Sequence, residues 1–374
     1  MMAEAEALDR EILASIEGRR VEDFDALALR IFAYQLRTNA PYARYCRAFG
    51  VTLATLPNSW REIPPVPTGA FKEADLCTFD PATAALVFET SGTTAGAPGK
   101  HYMETTALYD AALLAGFHDA FLRDLQAPLR YLLLVPDPKS HPHSSLGYMM
   151  QRVAQTYGAG EARWYLEGDR IDVAEFIHDV RNAQAANTPV LLAATAFALV
   201  HLLDALRERN LTFPFPPESR IMETGGFKGR ARAVDRFELY AEIERVFAVP
   251  QERIISEYGM TELSSQYYDD PLATLKAART SRSLVPRYDH MVRLKVAPPW
   301  LRSYAVGADA KPLPGGTIGA LVHVDLANRS SCVAVQTEDL GAVVEGGIIL
   351  IGRDEGAELR GCSLDAESLR VLRT

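Results

Sequence analysis

Cysteine is scarce in this sequence of 374 residues, which contains only four. They are Cys46, Cys77, Cys332 and Cys362. No two of them form a CxxC pair, so the pattern argues against both a disulfide framework and a zinc ribbon. The usage fits a reducing compartment, and we therefore expect a cytoplasmic protein.

The sequence also lacks a long apolar run and a basic N-terminus. Its longest apolar stretch, residues 190–203, contains His201 and is shorter than the roughly 20 residues that a membrane-spanning helix needs. The first residues, MMAEAEALDREI, are acidic and have no signal-peptide pattern. We therefore expect no membrane span, and a buried strand or helix at residues 190–203.

Positively charged residues are fewer than negatively charged ones: the sequence has 39 lysines and arginines and 48 aspartates and glutamates, which gives a net charge of -9. This balance argues against a broad nucleic-acid surface. What is present is an ordinary globular composition, with 48% hydrophobic, 23% charged and 9% aromatic residues. Disorder, collagen and coiled coil are excluded as overall descriptions, and the length allows two or three lobes.

The N-terminal part differs in pattern from the rest of the chain. Residues 8–49 carry apolar side chains at helical spacing, which predicts an all-helical segment. The positions that define this stripe are Phe24, Leu27, Ile31, Phe32 and Leu36. A Pro-rich passage at residues 57–67 breaks the pattern and is predicted to wrap over the surface. The remainder alternates strand-like and helical runs, which favours α/β architecture, and glycine-separated runs after Pro314 predict antiparallel hairpins.

Residues 220–259 predict a strand–helix–strand unit. The segments RIMET (220–224) and RIISE (253–257) are typical of strands, and residues 231–247 carry the apolar stripe of a helix. A crossover of this kind makes the two strands parallel. Because open parallel sheets bind ligands outside the carboxyl ends of their strands, we expect the loops GGFKG and YGMTEL to meet at one rim.

The segment ETSGTTAGAPGK, residues 89–100, follows an apolar run that predicts a strand. Small residues let backbone N–H groups converge on an anion, while hydroxyl side chains and a lysine add donors and positive charge. The candidate groups are Ser91, Gly92, Thr93, Thr94 and Lys100. The segment is not a Walker A motif, because Thr94 stands where the first glycine belongs and His101 where Ser or Thr should follow. A phosphate loop is the functional interpretation, and a surface loop is the alternative.

Four segments resemble, in order, the signatures of the adenylate-forming (acyl-AMP) superfamily. They are TSGTTAGAPGK (90–100), YGMTE (258–262), TEDLG (337–341) and GR (352–353). The resemblance implies the α/β fold of that superfamily's N-terminal domain, with parallel and mixed sheets, flanking helices and a β-rich C-terminal part. It also implies a site for ATP and Mg²⁺.

The same resemblance implies roles for individual residues. Those expected to contact the nucleotide are Ser91, Gly92, Thr93, Thr94, Lys100, Gly225, Gly226, Phe227, Tyr258, Gly259, Met260, Asp339 and Arg353. Asp339 would bond the ribose hydroxyls, and Arg353 would support that ribose. Thr261 would face the α-phosphate, and Glu262 would hold Mg²⁺.

The segments GGFKG and RGCSL (360–364) narrow the resemblance to the acyl-protein synthetase (LuxE-like) family, and it covers most of the chain. Members activate a carboxylic acid as acyl-AMP, pass the acyl group to a cysteine near their C-terminus, and deliver it to a partner acyl reductase. Cys362 matches that cysteine. The mobile C-terminal domain of longer superfamily members is expected to be absent.

On this basis the chain divides into three parts. Residues 1–80 would be a helical segment packed on the core, 81–312 an α/β core for ATP and the acyl group, and 313–374 a β-rich part with the acyl-accepting cysteine. Nothing in the sequence resembles a dinucleotide fingerprint, so reduction would require a partner.

For Cys362 and Lys228, a non-functional interpretation stays open beside the functional one. A thiolate at Cys362 could displace AMP from the acyl adenylate, a mixed anhydride, and Arg360 would favour the thiolate. The alternative is an inert, half-buried cysteine. Lys228 either supplies positive charge beside the phosphate or carboxylate, as a catalytic group, or is merely solvated. Cys332, in a strand-like alternation, is predicted to belong to the core.

Two other functions stay open: an acyl-CoA or carrier-protein ligase, and a non-catalytic nucleotide-binding scaffold. The presence of Thr261, Glu262 and Asp339 argues against a scaffold, which needs no metal ligand. His141 and His143 lack a third ligand at useful spacing and are predicted to lie in a loop. The neighbouring Asp269 and Asp270 predict a solvated turn.

Overall fold

A computed structural model describes residues 2–90, 97–168, 170–225, 236–270 and 293–353, with the backbone alone for Arg353. The helices in these ranges are α1 Met2–Glu17, α2 Phe24–Thr38, α3 Ala40–Ala48, α4 Ala70–Glu73, α5 Ala107–Phe121, α6 Ser145–Tyr157, α7 Val173–Ala185, α8 Ala196–Glu208 and α9 Arg236–Phe247. Single-turn 3-10 helices lie at Trp60–Glu62, Pro81–Thr83, Gln251–Arg253 and Leu326–Asn328.

The strands in the same ranges differ widely in length. They are β1 Val66–Pro67, β2 Leu86–Glu89, β3 Lys100–Met103, β4 Arg130–Leu134, β5 Arg163–Trp164, β6 Leu166–Glu167, β7 Arg170–Ile171, β8 Val190–Thr195, β9 Arg220–Thr224, β10 Ile254–Tyr258, β11 Tyr267–Asp269, β12 Lys295–Val296, β13 Leu301–Val306, β14 Ile318–Asp325, β15 Ala334–Val344 and β16 Gly347–Arg353.

Twelve of the described strands form one mixed sheet in the order β13-β14-β15-β16-β12-β11-β10-β9-β8-β4-β5, with β1 paired to β15. The strands from β5 to β10 along this order are parallel. The pairs from β10 to β13 at the other end are antiparallel. Two hairpins, β2-β3 and β6-β7, stand apart. This arrangement confirms the predicted α/β fold class.

Helices cover both faces of the parallel part of the sheet. On β9, Ile221 packs with side chains of α7, α8 and α9, whereas Met222 packs on the opposite face with those of α5 and α6. Because both faces are buried, the parallel strands are apolar almost throughout. Polar side chains are therefore found mainly where these strands end, and the candidate site lies there.

The strand–helix–strand unit predicted at residues 220–259 is confirmed. β9 and β10 pair in parallel, with Ile254 opposite Ile221, and α9 lies between them in the chain. Residues 226–235 lie outside the described part. The apolar stretch at residues 190–203 forms both the buried strand β8 and the first half of α8. In the described part, no helix combines the length and apolarity that crossing a membrane requires.

The N-terminal helical segment is confirmed as α1, α2 and α3, whose buried side chains share a core with side chains of β14 and β15. The five positions that predicted the stripe are all buried: Phe24, Leu27, Ile31, Phe32 and Leu36. Asp23 and Asn39 cap α2 and α3 by accepting bonds from the backbone N–H groups of Ala26 (2.9 Å) and Tyr42 (3.1 Å). These caps fix where the two helices begin.

The prediction that residues 57–67 wrap over the surface holds for the exposed Asn58, Arg61 and Glu62 but was wrong for the apolar side chains of the passage. Ile63 and Val66 are 0% and 1% exposed, and Val66 lies opposite Val335 in a short parallel pairing of β1 with β15. Proline has no N–H to donate, which keeps such a pairing short. Burial of the apolar side chains brings this passage into the core.

The antiparallel hairpins predicted after Pro314 are confirmed by β14, β15 and β16. β13 precedes that point and pairs with β14 in the same antiparallel fashion. The division of the chain at residues 80 and 312 stays a prediction.

Candidate active site

The carboxyl ends of three parallel strands lie side by side. Thr195, Thr224 and Glu257 are register partners at the ends of β8, β9 and β10. Gly225 follows β9, is exposed, and has a φ of 72°, a left-handed conformation that glycine adopts without strain. The start of the GGFKG loop therefore lies at the predicted rim. Gly226, Phe227 and Lys228 lie outside the described residues.

The phosphate-loop segment connects the two strands of the β2-β3 hairpin. Glu89 and Lys100 are register partners, and the backbone N–H of Thr90 donates to the carbonyl of Gly99 (2.9 Å). Lys100 is exposed at the first position of β3. The segment is thus a loop whose two ends are fixed together. The remaining candidates in it, Ser91, Gly92, Thr93 and Thr94, lie outside the described residues.

His101, next to Lys100, connects this hairpin to the YGMTE segment. Its Nδ1 lies 2.7 Å from the carbonyl oxygen of Thr261. A carbonyl only accepts, so Nδ1 carries the proton and donates. The ring is 1% exposed, and burial lowers the pKa of His101 to about 4, which keeps it neutral. Its buried Nε2 finds no hydrogen-bond partner among the described residues.

The turn that carries Met260, Thr261 and Glu262 is held from the other side by residues at the end of β14. Asn328 Nδ2 donates to the carbonyl of Glu262 (2.9 Å), and Asp325 accepts from the backbone N–H groups of the two serines that follow Leu263. Met260 is half-buried against the core that includes Leu263. Glu262 is 7% exposed. The turn is therefore fixed in one conformation by hydrogen bonds on both sides.

A side chain at Gly259 would collide with the buried carboxyl group of Glu257. A Cβ atom at this position would lie 2.4 Å from Oε1 of Glu257, closer than real Cβ contacts come. Glu257 is itself buried and accepts a short hydrogen bond from the hydroxyl of Thr224. Burial raises the pKa of Glu257 to about 7, although the hydrogen bond and the charge of Lys295 oppose the rise. A carboxyl group that titrates near neutral pH thus lies directly behind the loop.

Tyr258 connects the YGMTE and TEDLG segments. Its hydroxyl donates to Oδ2 of Asp339 (2.9 Å), which brings the end of β10 to the middle of β15. Burial and the neighbouring carboxylate hold the pKa of Tyr258 far above its usual value, so the hydroxyl keeps its proton. Asp339 is half-buried, and its backbone N–H donates to Oγ1 of Thr337 (3.1 Å). Arg353 is the register partner of Asp339.

Beneath this rim lies a buried ion pair that the sequence did not predict. Asp269, expected in a solvated turn, is 4% exposed and forms an ion pair with Lys295 (2.8 Å), itself 1% exposed. Lys295 also donates to the carbonyl of Ser256 (2.7 Å), and Asp269 accepts from the Ser256 backbone N–H (3.2 Å). The solvated-turn prediction was wrong, because tertiary pairing with a lysine offsets the cost of burying the carboxylate.

Each described cysteine is buried. Cys332 is 0% exposed, which confirms its predicted place in the core. Burial raises the pKa of Cys46 to about 12 and that of Cys77 to about 11, and it raises the pKa of Cys332 well above the usual value. None of these three thiols is therefore suited to act as a nucleophile. Cys362 lies outside the described residues.

Three residues near the site were not predicted from the sequence: His101, Glu257 and His323. Each adjoins or alternates with apolar positions, so its pattern is that of an ordinary strand residue. For two of them a signal exists, since His101 directly follows the phosphate-loop lysine and Glu257 directly precedes the YGMTE segment. His323 has no such signal, because only the tertiary fold brings it to Tyr258.

Comparison with known proteins identifies a family and relatives for this chain. The family model described as "Acyl-protein synthetase, LuxE" matches residues 5–369. The chain is similar to two proteins named "Long-chain-fatty-acid--luciferin-component ligase". The one from Aliivibrio fischeri is 22% identical over 86% of this chain and 79% of its own length. The one from Vibrio harveyi is 22% identical over 84% of this chain and 77% of its own.

Solved structures share the fold. A 2-hydroxyisobutyryl-CoA ligase in complex with 2-HIB-AMP and CoA superimposes with a TM-score of 0.62 at 14% identity, covering 90% of this chain and 70% of that one. An ATP-bound RpMatB-BxBclM chimera gives a TM-score of 0.50 at 16% identity over 74% of this chain. The chain spans 49% of the length of that chimera. At such identities the similarity establishes the fold alone.

Proposed function

The chain belongs to the acyl-protein synthetase (LuxE) family, and from this premise we propose that it uses ATP to activate a carboxylic acid as acyl-AMP. The acyl group then passes to Cys362 and from there to a partner acyl reductase. The names of the two relatives support a long-chain fatty acid as the substrate class.

One observation carries the nucleotide part of this proposal: the hydrogen bond from Tyr258 to Asp339. It joins two segments, 81 residues apart, that match separate signatures of adenylate-forming enzymes. Tyr258 ends a parallel strand at the edge where open α/β sheets bind ligands, and the bond brings Asp339 to that edge.

The groups at the rim suit a nucleotide chemically. The Asp339 carboxylate can accept hydrogen bonds from ribose hydroxyls, and the exposed Gly225 lets a base approach the backbone. Lys100 offers positive charge to phosphates at the end of its loop. The remaining nucleotide contacts that the family resemblance supports are Ser91, Gly92, Thr93, Thr94, Gly226, Phe227, Tyr258, Gly259, Met260 and Arg353.

Mg²⁺ would be held by Glu262 together with nucleotide phosphates. This ion commonly uses one or two carboxylates plus substrate phosphates instead of a complete protein cage. Within the described ranges no group of three or more His, Cys, Asp or Glu side chains could hold a metal. When bound, the ion supplies charge neutralisation at the phosphates.

Two displacements follow from these assignments. The substrate carboxylate attacks the α-phosphorus of ATP, so that pyrophosphate leaves and acyl-AMP forms. Thr261 faces that phosphorus, and Lys228 stabilises the developing negative charge. The thiolate of Cys362 then attacks the acyl carbonyl, a thioester forms, and AMP leaves. The buried state of the other three cysteines supports the choice of Cys362.

Acid-dependent pyrophosphate exchange into ATP, measured across a panel of carboxylic acids, tests the first displacement. Long-chain fatty acids should support exchange, and Glu262→Gln should reduce it by about 100-fold or more, since a metal ligand is lost. Glu167→Gln, at an exposed glutamate that has no proposed role at the site, is the matched control and should retain full exchange. Unchanged exchange in Glu262→Gln would remove that residue from the metal site. Rapid formation of acyl-CoA without a partner would favour a CoA ligase instead.

A further inference from the structure

A series of hydrogen bonds lies behind Asp339 and includes His323, Tyr267 and Ser303, which have no role in the function proposed above. The Tyr258 hydroxyl, which donates to Asp339, lies 3.2 Å from Nε2 of His323. Nδ1 of the same imidazole lies 2.8 Å from both the Tyr267 hydroxyl and the Ser303 hydroxyl. This series of hydrogen bonds thus joins β10, β11, β13, β14 and β15 through the imidazole ring of His323.

The chemistry of these groups determines which of them donates and which accepts in each hydrogen bond. A carboxylate only accepts, so the proton of the Tyr258 hydroxyl points to Asp339. The Tyr258 oxygen must then accept from Nε2–H of His323, which leaves Nδ1 as an acceptor for Tyr267 or Ser303. Every proton in this series of hydrogen bonds is therefore donated in the direction of Asp339.

Burial keeps the imidazole of His323 neutral. His323 is 0% exposed, and burial lowers its pKa to about 4, although the charge of Asp339 opposes the change. The ring is therefore neutral and carries a single proton. Its ring centroid lies 5.8 Å from that of Tyr258 and 5.3 Å from that of Tyr267, so packing holds it in place. The opposite tautomer would set two lone pairs against each other at Tyr258.

We propose that His323 is a positioning residue for nucleotide binding. By donating from Nε2 to Tyr258, it fixes the tyrosine hydroxyl as a donor to Oδ2 of Asp339 and so orients the carboxylate for a vicinal diol. This inference rests on the proposed function, in which Asp339 binds the ribose hydroxyls. Discrimination at the ribose would then depend on a buried histidine that does not itself contact the nucleotide.

Equilibrium binding of ATP and 3′-deoxy-ATP to the full-length protein, measured by calorimetry without acid, tests the inference. A hydrogen bond to a charged group contributes about 1.5–3 kcal/mol, so the wild type should prefer ATP by roughly 10- to 100-fold. His323→Phe keeps a buried ring but loses the donor, and should reduce this preference to about threefold or less. It should leave the affinity for 3′-deoxy-ATP almost unchanged. His323→Gln, whose amide can replace Nε2–H, should restore most of the preference.

Two further variants separate positioning from general destabilisation. Tyr165→Phe removes another buried tyrosine–carboxylate bond, to Asp179 at 2.8 Å, and should retain the full preference. Tyr258→Phe removes the hydroxyl through which His323 is proposed to act, and should lower the preference even if His323→Phe does not fold. An unchanged preference in Tyr258→Phe or in a folded His323→Phe would overturn the inference. A wild type that discriminates between the nucleotides but shows no acid-dependent exchange would contradict the proposed function alone.

Discussion

Nδ1 of His101 donates to the main-chain carbonyl of Thr261 across 2.7 Å, although the two residues are 160 positions apart in the chain. One residue follows the phosphate-loop lysine, and the other belongs to the YGMTE segment. This bond therefore fixes the spacing between two loops that are proposed to hold different parts of the same nucleotide. Because the bond is buried, water cannot replace it if the donor is lost.

His101→Phe should impair activity more than the loss of stability alone would explain. The change leaves the Thr261 carbonyl without its donor, which costs about 1–3 kcal/mol of unfolding free energy, and it allows the YGMTE turn to move. We expect pyrophosphate exchange to fall by roughly tenfold or more, with urea unfolding measured in parallel. His101→Asn, whose amide nitrogen can replace Nδ1, should recover part of the exchange. Equal activity in the Phe and wild-type proteins would show that the bond does not matter for function.

Gly259→Ala should reduce exchange while the protein remains folded. The added Cβ would lie 2.4 Å from Oε1 of Glu257, so either the loop or the buried Glu257 carboxyl group must shift. Gly315→Ala is the matched control, because its Cβ would meet nothing closer than the Val343 carbonyl oxygen at 3.6 Å. Circular dichroism and thermal unfolding establish folding for both variants. A fully active Gly259→Ala protein would show that the loop has room that the structure does not indicate.

Glu257→Gln should stabilise the protein increasingly as pH rises. Burial raises the pKa of Glu257 from 4.5 to about 7, so its contribution to stability is complete below pH 4.5 and is lost as pH rises through 7. The uncharged glutamine avoids that loss, which amounts to about 3 kcal/mol at pH 8. Urea unfolding at pH 4.5 and pH 8 measures the difference between variant and wild type. Glu161→Gln, at an exposed glutamate, should show the same stability as the wild type at both pH values.

Arg329→Met should destabilise the fold by about 1–3 kcal/mol, because it leaves two half-buried carboxylates without the cation that pairs with both. Arg329 is 2% exposed and forms ion pairs with Asp9 of α1 and Glu104, both at 2.6 Å. Arg170→Met removes an exposed ion pair to Glu167 and should change the unfolding free energy by less than about 1 kcal/mol. Similar denaturation midpoints for the two variants would contradict the role of Arg329 in holding α1 against the C-terminal strands.

The sequence predicted those parts of the fold that local patterns encode. The parallel pair β9-β10 was predictable because each strand is a short apolar run that ends in glycine-containing polar residues. The N-terminal helices were predictable from one apolar stripe. Asp269 was misjudged because its partner, Lys295, lies 26 positions later, and no local pattern reports such a pairing.

In the candidate site, too, only residues marked by a local sequence pattern could be predicted. Tyr258 and Asp339 could be nominated because each belongs to a segment with a recognisable signature. His323 could not, since it lies in the apolar alternation of β14 and acquires its contacts only when five strands come together. Side chains that act on a ligand leave a signal in the sequence, whereas those that position them are specified by tertiary packing.

Cys362→Ala should separate the two displacements of the proposed reaction. The anhydride forms before the thiol attacks, so this variant should retain pyrophosphate exchange but carry no hydroxylamine-labile acyl group after incubation with labelled fatty acid, ATP and Mg²⁺. Cys77→Ala, at a buried thiol, should load acyl groups as the wild type does. Addition of an acyl reductase should move the label from the wild-type chain to the partner, or to aldehyde once NADPH is present. Full loading of Cys362→Ala, or loss of loading in Cys77→Ala, would assign the thioester to another sulfur.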